Sequence, residues 1–485
     1  TLLLTNVTVA AVLGLMWAPR LLHLAMVLLL PVGVVLVIWE TLGSVALPFA
    51  EHPLRFGVPI WAAVGLHLTT LFLAAMVCHG ELARTRPATR FLTEFYLLLS
   101  VGGVLGGLFN ALVAPLVFSR IVEYPLVMAL ALLLLPRAGA PRERRVLFLA
   151  DLNLGGVLGL IGLLVAAFWL GHNFLTQRAA EDLPEPFRGP ATKFARRFGR
   201  DDSDSLLEER NFFGLVRVRR DPHDYYHWIV HGTTVHGLQC WGDPDRRKEP
   251  LAYFHEAGPM GEIWAAARAK KPNLRVAVLG VGSGTLAAFT RAGDEMTLYE
   301  IDPAVVRLVH DKTYFTYIPD AKERGVQVNV ELGDGRLRLQ QAPEEHFDLI
   351  FMDAFTSDAV PVHLLTREAI QTYLTKLAPG GVIIINVANR YLDFEPVFAN
   401  LATELGLAAR YGGGSSGYYN EEYNVYEQYG SAWIVLARNE EDLGQLLRYR
   451  SPKGKERWEK LAGREDVGVW TDDYSNLFSV FNWKR

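Results

Sequence analysis

Cysteine is nearly absent from this chain, which has only Cys78 and Cys240 among its 485 residues. The two lie far apart, and no Cys and His residues have the spacing of a metal site, so we expect neither a disulfide framework nor a bound metal. An excess of charge of one sign is also lacking. With 48 Lys and Arg against 52 Asp and Glu, the formal net charge of -4 favours no nucleic-acid partner.

The chain begins without Met and without the positively charged segment that opens a signal peptide. Its first residues, Thr1 to Leu4, are mostly apolar. We therefore expect that the natural N-terminus lies upstream and that this segment is not a signal peptide.

Hydrophobic residues, in contrast, make up 50% of the chain, and they are concentrated in residues 1–172. A bilayer span needs roughly 20 apolar residues. Runs of this kind predict a transmembrane helical domain, with spans at about 2–18, 21–42, 57–79, 92–118 and 146–171 and a shorter run at 124–136.

Arginines in the loops indicate the orientation of this half. They follow the third span at 84–90 and precede the last span at 137–145. If all six runs cross the membrane, the positive-inside rule places the rest of the chain outside the cytoplasm. If the 124–136 run is re-entrant or interfacial, the rest of the chain is cytoplasmic. We favour the second arrangement, because this run is short and starts at Glu123-Tyr124-Pro125.

Ionisable residues at membrane depth suggest a functional site by default, and this half has His67, Glu94 and Asp151. Glu94 and Asp151 lie near the ends of their segments, so an interfacial position is the alternative. The glycine pairs Gly102-Gly103 and Gly106-Gly107 have the spacing of close helix packing.

The remaining two thirds of the chain has the composition of a folded soluble protein. Residues 173–210 are rich in charge and predict a surface linker. Alternation of apolar and polar residues then predicts a small β-rich unit over 211–270, followed by an α/β domain over 271–440 and a C-terminal tail over 441–485. In the α/β domain, strands are expected at 275–280, 296–300, 326–331, 347–352, 382–387 and 433–437, with helices between them, which indicates a mostly parallel sheet.

A glycine-rich turn follows the first strand of this sheet. Gly280, Gly282 and Gly284 allow the backbone to approach a ligand closely and to turn into a helix. Glu300 closes the next strand about twenty residues later, where such sheets place a carboxylate for ribose hydroxyls. The combination predicts a nucleoside site.

Carboxylates also follow the next strands, and ligands gather at the carboxyl ends of parallel strands. Asp334 lies in a Gly-Asp-Gly turn and can accept a hydrogen bond from an adenine amino group, with Gly335 beside it. Asp353 ends FDLIFMD and can take a proton from an attacking amine. Asp358 follows in a TSD stretch that is suited to holding a second ammonium group.

The region from about Asn211 to Gly406 resembles the spermidine synthase family, the polyamine aminopropyltransferases. The matching segments are HGTTVHG, YFHEAGP, GVGSG, YEID, GDGR and FDLIFMDAFTSD. With the apolar half, the chain resembles fused membrane and spermidine-synthase-like proteins of bacteria. The resemblance implies a transmembrane α-helical bundle, the small β-rich unit and a Rossmann-like class I methyltransferase-type fold, located in the bacterial inner membrane.

The resemblance also implies ligands and residue roles. The co-substrate would be S-adenosylmethionine or its decarboxylated form, held by the glycine-rich turn including Ser283. Glu300 would bind ribose, Asp334 adenine, and Asp353 would be the catalytic base. Substrate contacts would come from Tyr253, His255, His236 and Asp358, and members of the family often pair as homodimers.

Several positions depart from the pattern of that family. Its GGGDG turn holds the amine of the decarboxylated cofactor with an Asp, and Ser283 occupies that position. Its DSSDP loop appears here as a longer run from Asp353 to Asp358. The Gln of its LDG-x-x-Q strand is missing or shifted near His236, and its gate tyrosine falls on Tyr253 or Phe254.

Three further groups have two interpretations each. His231 and His236 orient a substrate or relay a proton, or they are structural residues of a hairpin. Tyr418, Tyr419 and Tyr423 form an aromatic lid or a plain surface loop. The Trp470–Tyr474 segment completes an acidic amine pocket or caps a helix.

These observations lead to one preferred function and two alternatives. The first is transfer of an aminopropyl group to a polyamine, which Asp353 and Asp358 favour. The second is methyl transfer from S-adenosylmethionine to a membrane-linked or amine substrate, which Ser283 favours. The third is a nucleoside- or polyamine-sensing domain that regulates or anchors the membrane half.

Overall fold

The computed structural model describes residues 19–42, 60–84, 86–118, 123–133, 164, 167, 204–232, 234–354, 361–389, 391–415, 417–450 and 454–482. Two compact units, Thr1–Asp202 and Ser203–Arg485, divide the chain. Four of the predicted features lie outside the described residues: the span at 2–18, the span at 146–171 except Leu164 and Ala167, Asp151 and Asp358. Nearly all of the predicted linker lies outside them as well.

The first unit is helical in its described part. Its helices are α1 (Pro19–Leu42), α2 (Ile60–Arg84), α3 (Leu92–Leu108), α4 (Ala114–Val117) and α5 (Glu123–Leu133), with a 3-10 turn at Thr89–Phe91 and a π-helical turn at Phe109–Val113 that joins α3 to α4. Each predicted run in this part forms helix. Two stretches, Trp61–Ala83 and Thr89–Leu116, are long and apolar enough to cross a membrane, a property that buried helices of soluble proteins share.

Helices α1 and α2 pack closely against each other. Leu30 and Val34 of α1 are fully buried, as is Val77 of α2. A Cβ on Gly33 would lie 2.7 Å from Oγ1 of Thr70, so the small residue permits the close approach of the two backbones. The same packing is not seen at the glycine pairs of α3, where no described residue lies within 4 Å of the Cβ positions.

The second unit begins with a four-stranded antiparallel sheet in sequential order. Its strands are β1 (Ser205–Asn211), β2 (Gly214–Arg220), β3 (Tyr226–His231) and β4 (Thr234–Cys240). Strand β1 corrects the sequence interpretation, which assigned 205–210 to the charged linker. Because β1 is an edge strand, its charged residues reach solvent or partners, and Glu209 pairs with Arg307.

A larger, eight-stranded sheet follows. Its strands are β5 (Arg275–Leu279), β6 (Glu295–Glu300), β7 (Gln327–Leu332), β8 (Phe347–Met352), β9 (Leu377–Asn386), β10 (Ala408–Gly414), β13 (Ser431–Ala437) and β14 (Trp458–Lys460). Their spatial order is β14-β10-β13-β9-β8-β5-β6-β7. The run from β7 to β9 is parallel, and β13 is antiparallel to β9. This doubly wound arrangement is the Rossmann-like, methyltransferase-type sheet that the sequence predicts.

Helices cover both faces of this sheet. They are α6 (Pro259–Arg268), α7 (Pro303–His310), α8 (Tyr317–Glu323), α9 (Gly335–Gln340), α10 (Arg367–Lys376) and α11 (Glu395–Leu405), with 3-10 turns at Thr285–Phe289, Val362–Leu364, Glu441–Arg448 and Leu477–Val480. The central strand β5 shows why its sequence is continuously apolar. Val276 and Val278 enter the core on one face, and Ala277 and Leu279 enter the core on the other.

Some elements differ from the sequence interpretation. Helix α6 lies inside the 211–270 segment that we assigned to β structure. Strand β10 and the hairpin of β11 (Gly417–Asn420) and β12 (Val425–Gln428) were not predicted. The glycines of β10 have low strand propensity, but the ring of Trp458 lies over Gly412, where a Cβ would approach it to 2.5 Å. Packing across the sheet therefore overrides the local preference.

Candidate active site

A cavity of about 270 Å³ opens at the carboxyl ends of β5, β6 and β8. One wall belongs to the small sheet and the segment after it, and the others belong to the strand ends. It brings together most of the predicted site residues: Gly280, Gly282, Glu300, Asp334, Gly335, Asp353, Tyr253 and His236. The distant parts of the sequence therefore meet at the edge where a ligand is expected.

The glycine-rich turn after β5 needs its glycines for two reasons. Gly280 and Gly282 have φ of +89° and +57°, a region that residues with a Cβ rarely adopt. A Cβ on Gly280 would lie 2.5 Å from the carbonyl oxygen of Asp353, and one on Gly282 would lie 2.6 Å from that of His236. The turn is thus held between β8 and the small sheet, with its backbone facing the cavity.

Glu300 fastens this turn to the end of β6. Its Oε2 accepts a hydrogen bond from the backbone N–H of Val281 at 3.0 Å, and its Oε1 accepts one from Asp302 at 2.9 Å. Burial raises the pKa of the Glu300 carboxyl. Each oxygen keeps a lone pair beyond its backbone bond, so the side chain can still accept from ligand hydroxyls.

Asp334 caps helix α9 at the far end of the cavity. Its Oδ1 accepts from the backbone N–H of Leu337 at 3.0 Å, and its Oδ2 lies 2.9 Å from Nε2 of His363. The carboxylate is therefore held from two sides, and His363, which also lines the cavity, stands beside the predicted adenine contact.

Asp353 directly follows β8 and is partly buried beside the cavity. Its Oδ2 accepts a hydrogen bond from the hydroxyl of Tyr253 at 3.0 Å, and its Oδ1 accepts one from the side-chain amide of Asn386 at 2.6 Å. Burial raises the pKa of the Asp353 carboxyl to about 7, although both hydrogen bonds act in the opposite direction. A carboxyl with this pKa can gain and lose a proton near neutral pH, as a general base must.

The structure also resolves the register of the AYFHEAG segment. Tyr253 is the residue that faces the cavity, whereas Phe254 is buried in the core beside Trp433. Burial and the neighbouring Asp353 raise the pKa of the Tyr253 phenol well above its usual value. Tyr253 is therefore a hydrogen-bond donor to Asp353 and not a second base.

Three predicted contacts do not line the cavity. The hydroxyl of Ser283 is buried, 2.7 Å from Oγ1 of Thr285, and packs against Gly237 of β4, where a Cβ would come within 1.9 Å of it. Gly284 lies under Ile318. His255 stacks on Tyr418 with ring centroids 5.1 Å apart, outside the cavity.

His231 and His236 line the cavity together with Asp302, the residue that caps α7. The two imidazole rings are perpendicular, with centroids 6.1 Å apart. Burial lowers the pKa of both, that of His236 to about 4, so both are neutral at pH 7. The geometry therefore places the histidine pair at the site and not only within the hairpin.

The tyrosines and the tail make structural contacts. Tyr423 stacks on Tyr225, the residue before β3, with 4.1 Å between ring centroids. In the tail, Asp472 accepts hydrogen bonds from Arg336 and from Thr366. Since Asp472 is paired in this way, and does not line the cavity, it does not complete an amine pocket.

The sequence interpretation missed two partners of the predicted acids, Asn386 and His363. Asn386 ends β9, so the same rule that singled out Asp353 at the end of β8 could have found it. His363 follows the part of the 353–358 loop that lies outside the described residues, and nothing in its spacing points to Asp334.

Comparisons with known proteins agree with the motifs. No family model matches the chain. A polyamine aminopropyltransferase of Vibrio vulnificus is 31% identical over 117 residues, which are 23% of this chain and 37% of that relative. The chain thus spans 37% of the length of the curated relative that it matches. This match confirms the resemblance to the spermidine synthase family.

Solved structures with a similar chain path include a probable spermidine synthase from Corynebacterium glutamicum and a spermidine synthase from Thermotoga maritima. The first is 16% identical, with a TM-score of 0.36, and covers 55% of this chain and 97% of that one. The second is 14% identical, with a TM-score of 0.35, and covers 56% of this chain and 82% of that one.

Proposed function

We propose that the chain is an enzyme that transfers an aminopropyl group from decarboxylated S-adenosylmethionine to a polyamine, with Asp353 as the base. The observation that carries the proposal is the Asp353 carboxyl, which lines the cavity at the end of β8 with its pKa raised to about 7. The local sequence similarity to a polyamine aminopropyltransferase supports the same reaction class.

The cavity has features that fit the nucleoside part of the donor. The backbone of Gly280 to Gly282 can approach the ligand closely, because no Cβ intervenes. Glu300 can accept hydrogen bonds from ribose hydroxyls, and Asp334 can accept one from the adenine amino group. His363 keeps the Asp334 carboxylate in place through its hydrogen bond of 2.9 Å.

In the proposed reaction, the donor supplies an electrophilic carbon next to a sulfonium that leaves as a thioether. Asp353 accepts the proton of the amine that attacks this carbon. Tyr253 and Asn386 fix the two carboxylate oxygens and lower the pKa that burial raises. The walls of the cavity hold the nucleophile close to the carbon, which reduces the entropic cost of the encounter.

Methyl transfer from S-adenosylmethionine is the second candidate, and one observation favours it. The hydroxyl of Ser283 is buried against Gly237, so this position offers neither a charge nor a polar group to the cavity. A cofactor carboxylate would therefore meet no repulsion from it. The third hypothesis, a sensing domain, gives no role to the Asp353 carboxyl with its pKa of about 7.

We further propose that the first unit anchors the enzyme in the bacterial inner membrane, with the catalytic unit in the cytoplasm. Support comes from the stretches Trp61–Ala83 and Thr89–Leu116. Accessibility labelling of single-cysteine variants in intact cells, with Cys78 and Cys240 replaced by Ser, would test this orientation. A new Cys at an exposed position of the second unit, such as Glu323, should react only after the membrane is permeabilised.

Calorimetric titration of the purified protein with the two forms of the donor tests the reaction. Tighter binding of decarboxylated S-adenosylmethionine, followed by formation of spermidine from putrescine, is the expected result. If S-adenosylmethionine binds more tightly and no aminopropyl transfer is detected, the proposal is wrong and methyl transfer becomes the preferred function. Binding of neither would contradict both transferase functions.

A further inference from the structure

Three polar side-chain atoms at the cavity have no hydrogen-bond partner among the described residues. They are Nε2 of His231, Nε2 of His236 and Oδ2 of Asp302, and all three residues line the cavity. Nearly all buried polar atoms in proteins are hydrogen-bonded to protein, water or ligand. The cluster therefore needs a partner from outside this part of the chain.

Asp302 cannot turn its free oxygen away from the cluster. Its other oxygen, Oδ1, accepts hydrogen bonds from the side-chain amide of Asn211 at 2.6 Å and from the backbone N–H of Ala304 at 2.8 Å. The residue is only 3% exposed. The carboxylate is thus fixed in one orientation, with Oδ2 towards His231.

His231 and Asp302 face each other without a direct hydrogen bond. Nε2 of His231 and Oδ2 of Asp302 are 4.0 Å apart, which is too long for a direct hydrogen bond. A nitrogen or oxygen at about 2.8 Å from each would bridge them. The perpendicular ring of His236 completes the cluster on a third side.

The chemistry of the cluster selects a cation with several N–H donors. Asp302 supplies a negative charge, and burial keeps both imidazoles neutral, so that neither repels a cation. A neutral imidazole can present an unprotonated Nε2 as an acceptor. One carboxylate oxygen and two imidazole nitrogens match the three N–H donors of a primary ammonium group.

The other anionic side chains that line the cavity, Glu300, Asp334 and Asp353, have hydrogen-bond partners within the protein on both oxygens, and the proposed function assigns their remaining lone pairs to ribose, adenine and the attacking amine. Both oxygens of Glu300 accept backbone hydrogen bonds, and both oxygens of Asp353 accept side-chain hydrogen bonds. The hydroxyl of Ser283 does not face the cavity. An ammonium group in the cavity therefore finds its unpaired carboxylate oxygen at Asp302.

We propose that His231, His236 and Asp302 form an ammonium site, which holds a primary ammonium group of a ligand in the cavity. The inference rests on the proposed function, which gives the cavity two ligands of this chemistry. One is the decarboxylated donor, whose aminopropyl chain ends in an ammonium, and the other is the polyamine acceptor. The site supplies the recognition that Ser283 does not provide.

Calorimetric titration of the full chain tests the ammonium site with three ligands. Decarboxylated S-adenosylmethionine and putrescine carry a primary ammonium, and 5′-methylthioadenosine has the nucleoside without it. Asp302→Asn keeps the Oδ1 acceptor that binds Asn211 and Ala304, and removes the charge. His231→Gln is a second variant that leaves the cap of α7 intact. Asp311→Asn, at the other end of α7, is the matched control.

We expect Asp302→Asn and His231→Gln to lower the affinity for at least one of the two ammonium ligands by about tenfold or more. This is the effect of losing a hydrogen bond to a charged group. Binding of 5′-methylthioadenosine should change by less than about twofold, and Asp311→Asn should resemble the wild type. If only the affinity for the donor falls, or only that for putrescine, the result identifies which ammonium group the site binds. Unchanged affinities, or an equal loss for 5′-methylthioadenosine, would overturn the inference and leave the proposed function standing. Failure of the wild type to bind any nucleoside would instead contradict the proposed function.

Discussion

The hydroxyl of Tyr253 lies 3.0 Å from Oδ2 of Asp353, although the two residues are 100 positions apart in sequence. Tyr253 belongs to the segment after the small sheet, and Asp353 belongs to the end of β8. The bond therefore links the two parts of the catalytic unit at the position of the proposed base. A group outside the Rossmann-like sheet thus lowers the pKa of the proposed base.

The first prediction concerns the dependence of the reaction on pH. Asp353 must be ionised to accept a proton, and its pKa is raised to about 7. We expect kcat/KM to rise about tenfold per pH unit below pH 7 and to level off above it. Initial rates between pH 5.5 and 9 measure this profile. An inflection below pH 5 would show that burial does not raise the pKa of Asp353.

The second prediction concerns removal of the base. Asp353→Asn should lower kcat by roughly 10²- to 10⁴-fold, because the amide cannot take the proton. Affinity for 5′-methylthioadenosine should stay within about threefold, since the nucleoside contacts lie on other residues. Single-turnover rates and titrations measure the two effects. A variant that keeps its turnover would contradict the role of Asp353.

The same variant should change the stability of the protein. Because the pKa of Asp353 is raised from 3.8 to about 7 in the folded state, the unfolded chain loses this proton first, and the folding free energy falls as the pH rises between these two values and stays lower above pH 7. Asp353→Asn removes this cost. Its melting temperature relative to the wild type should therefore be higher at pH 8 than at pH 5, as measured by thermal unfolding. An equal difference at both pH values would count against an ionised Asp353 with a raised pKa.

The third prediction concerns Asn386. Its amide donates to Oδ1 of Asp353 and lowers the pKa that burial raises. Asn386→Ala should therefore shift the inflection of the pH–rate profile to higher pH. Tyr253→Phe should act in the same direction, because the lost hydroxyl also stabilises the ionised form. A shift to lower pH in either variant would show that these bonds favour the protonated form instead.

The fourth prediction concerns the glycine-rich turn. Gly280→Ala places a Cβ at φ +89° and 2.5 Å from the carbonyl oxygen of Asp353. We expect a loss of nucleoside affinity of at least about tenfold and a destabilisation of about 1–3 kcal/mol from backbone strain. Gly325→Ala is the control, because it has a similar φ of +86° but its nearest neighbour is 3.6 Å away. It should lose stability and keep its nucleoside affinity.

Sequence patterns predicted the central part of the catalytic unit well. Strands such as β5 and β8 are buried on both faces, so their apolar runs and terminal residues stand out in the sequence. The acids Glu300, Asp334 and Asp353 could be placed in one cavity because parallel strands end at the same edge. The assignment of Tyr253 and not Phe254 to the cavity needed the structure, since the two aromatic residues are adjacent in one segment.

Other features could not be read from the sequence, for physical reasons. The charged composition of β1 hides an edge strand, because such a strand need not be apolar. Ser283 has the right position in the sequence for a cofactor contact. Because Gly237 has no side chain, the Ser283 hydroxyl packs against β4 and not towards the cavity. Long-range partners such as His363 for Asp334 depend on how loops fold back, which local periodicity does not encode.

The contact of Gly282 with the carbonyl of His236 and the bond from Asn211 to Asp302 have a practical consequence for dissecting this chain. The shortest fragment with a complete cavity wall starts before Ser205, and not at the first strand of the large sheet. A fragment that begins near residue 271 would leave Gly282 and Ser283 of the glycine-rich turn without the strand that covers them. The small sheet and the glycine-rich turn that it covers therefore need to be kept together in any shortened form of the protein.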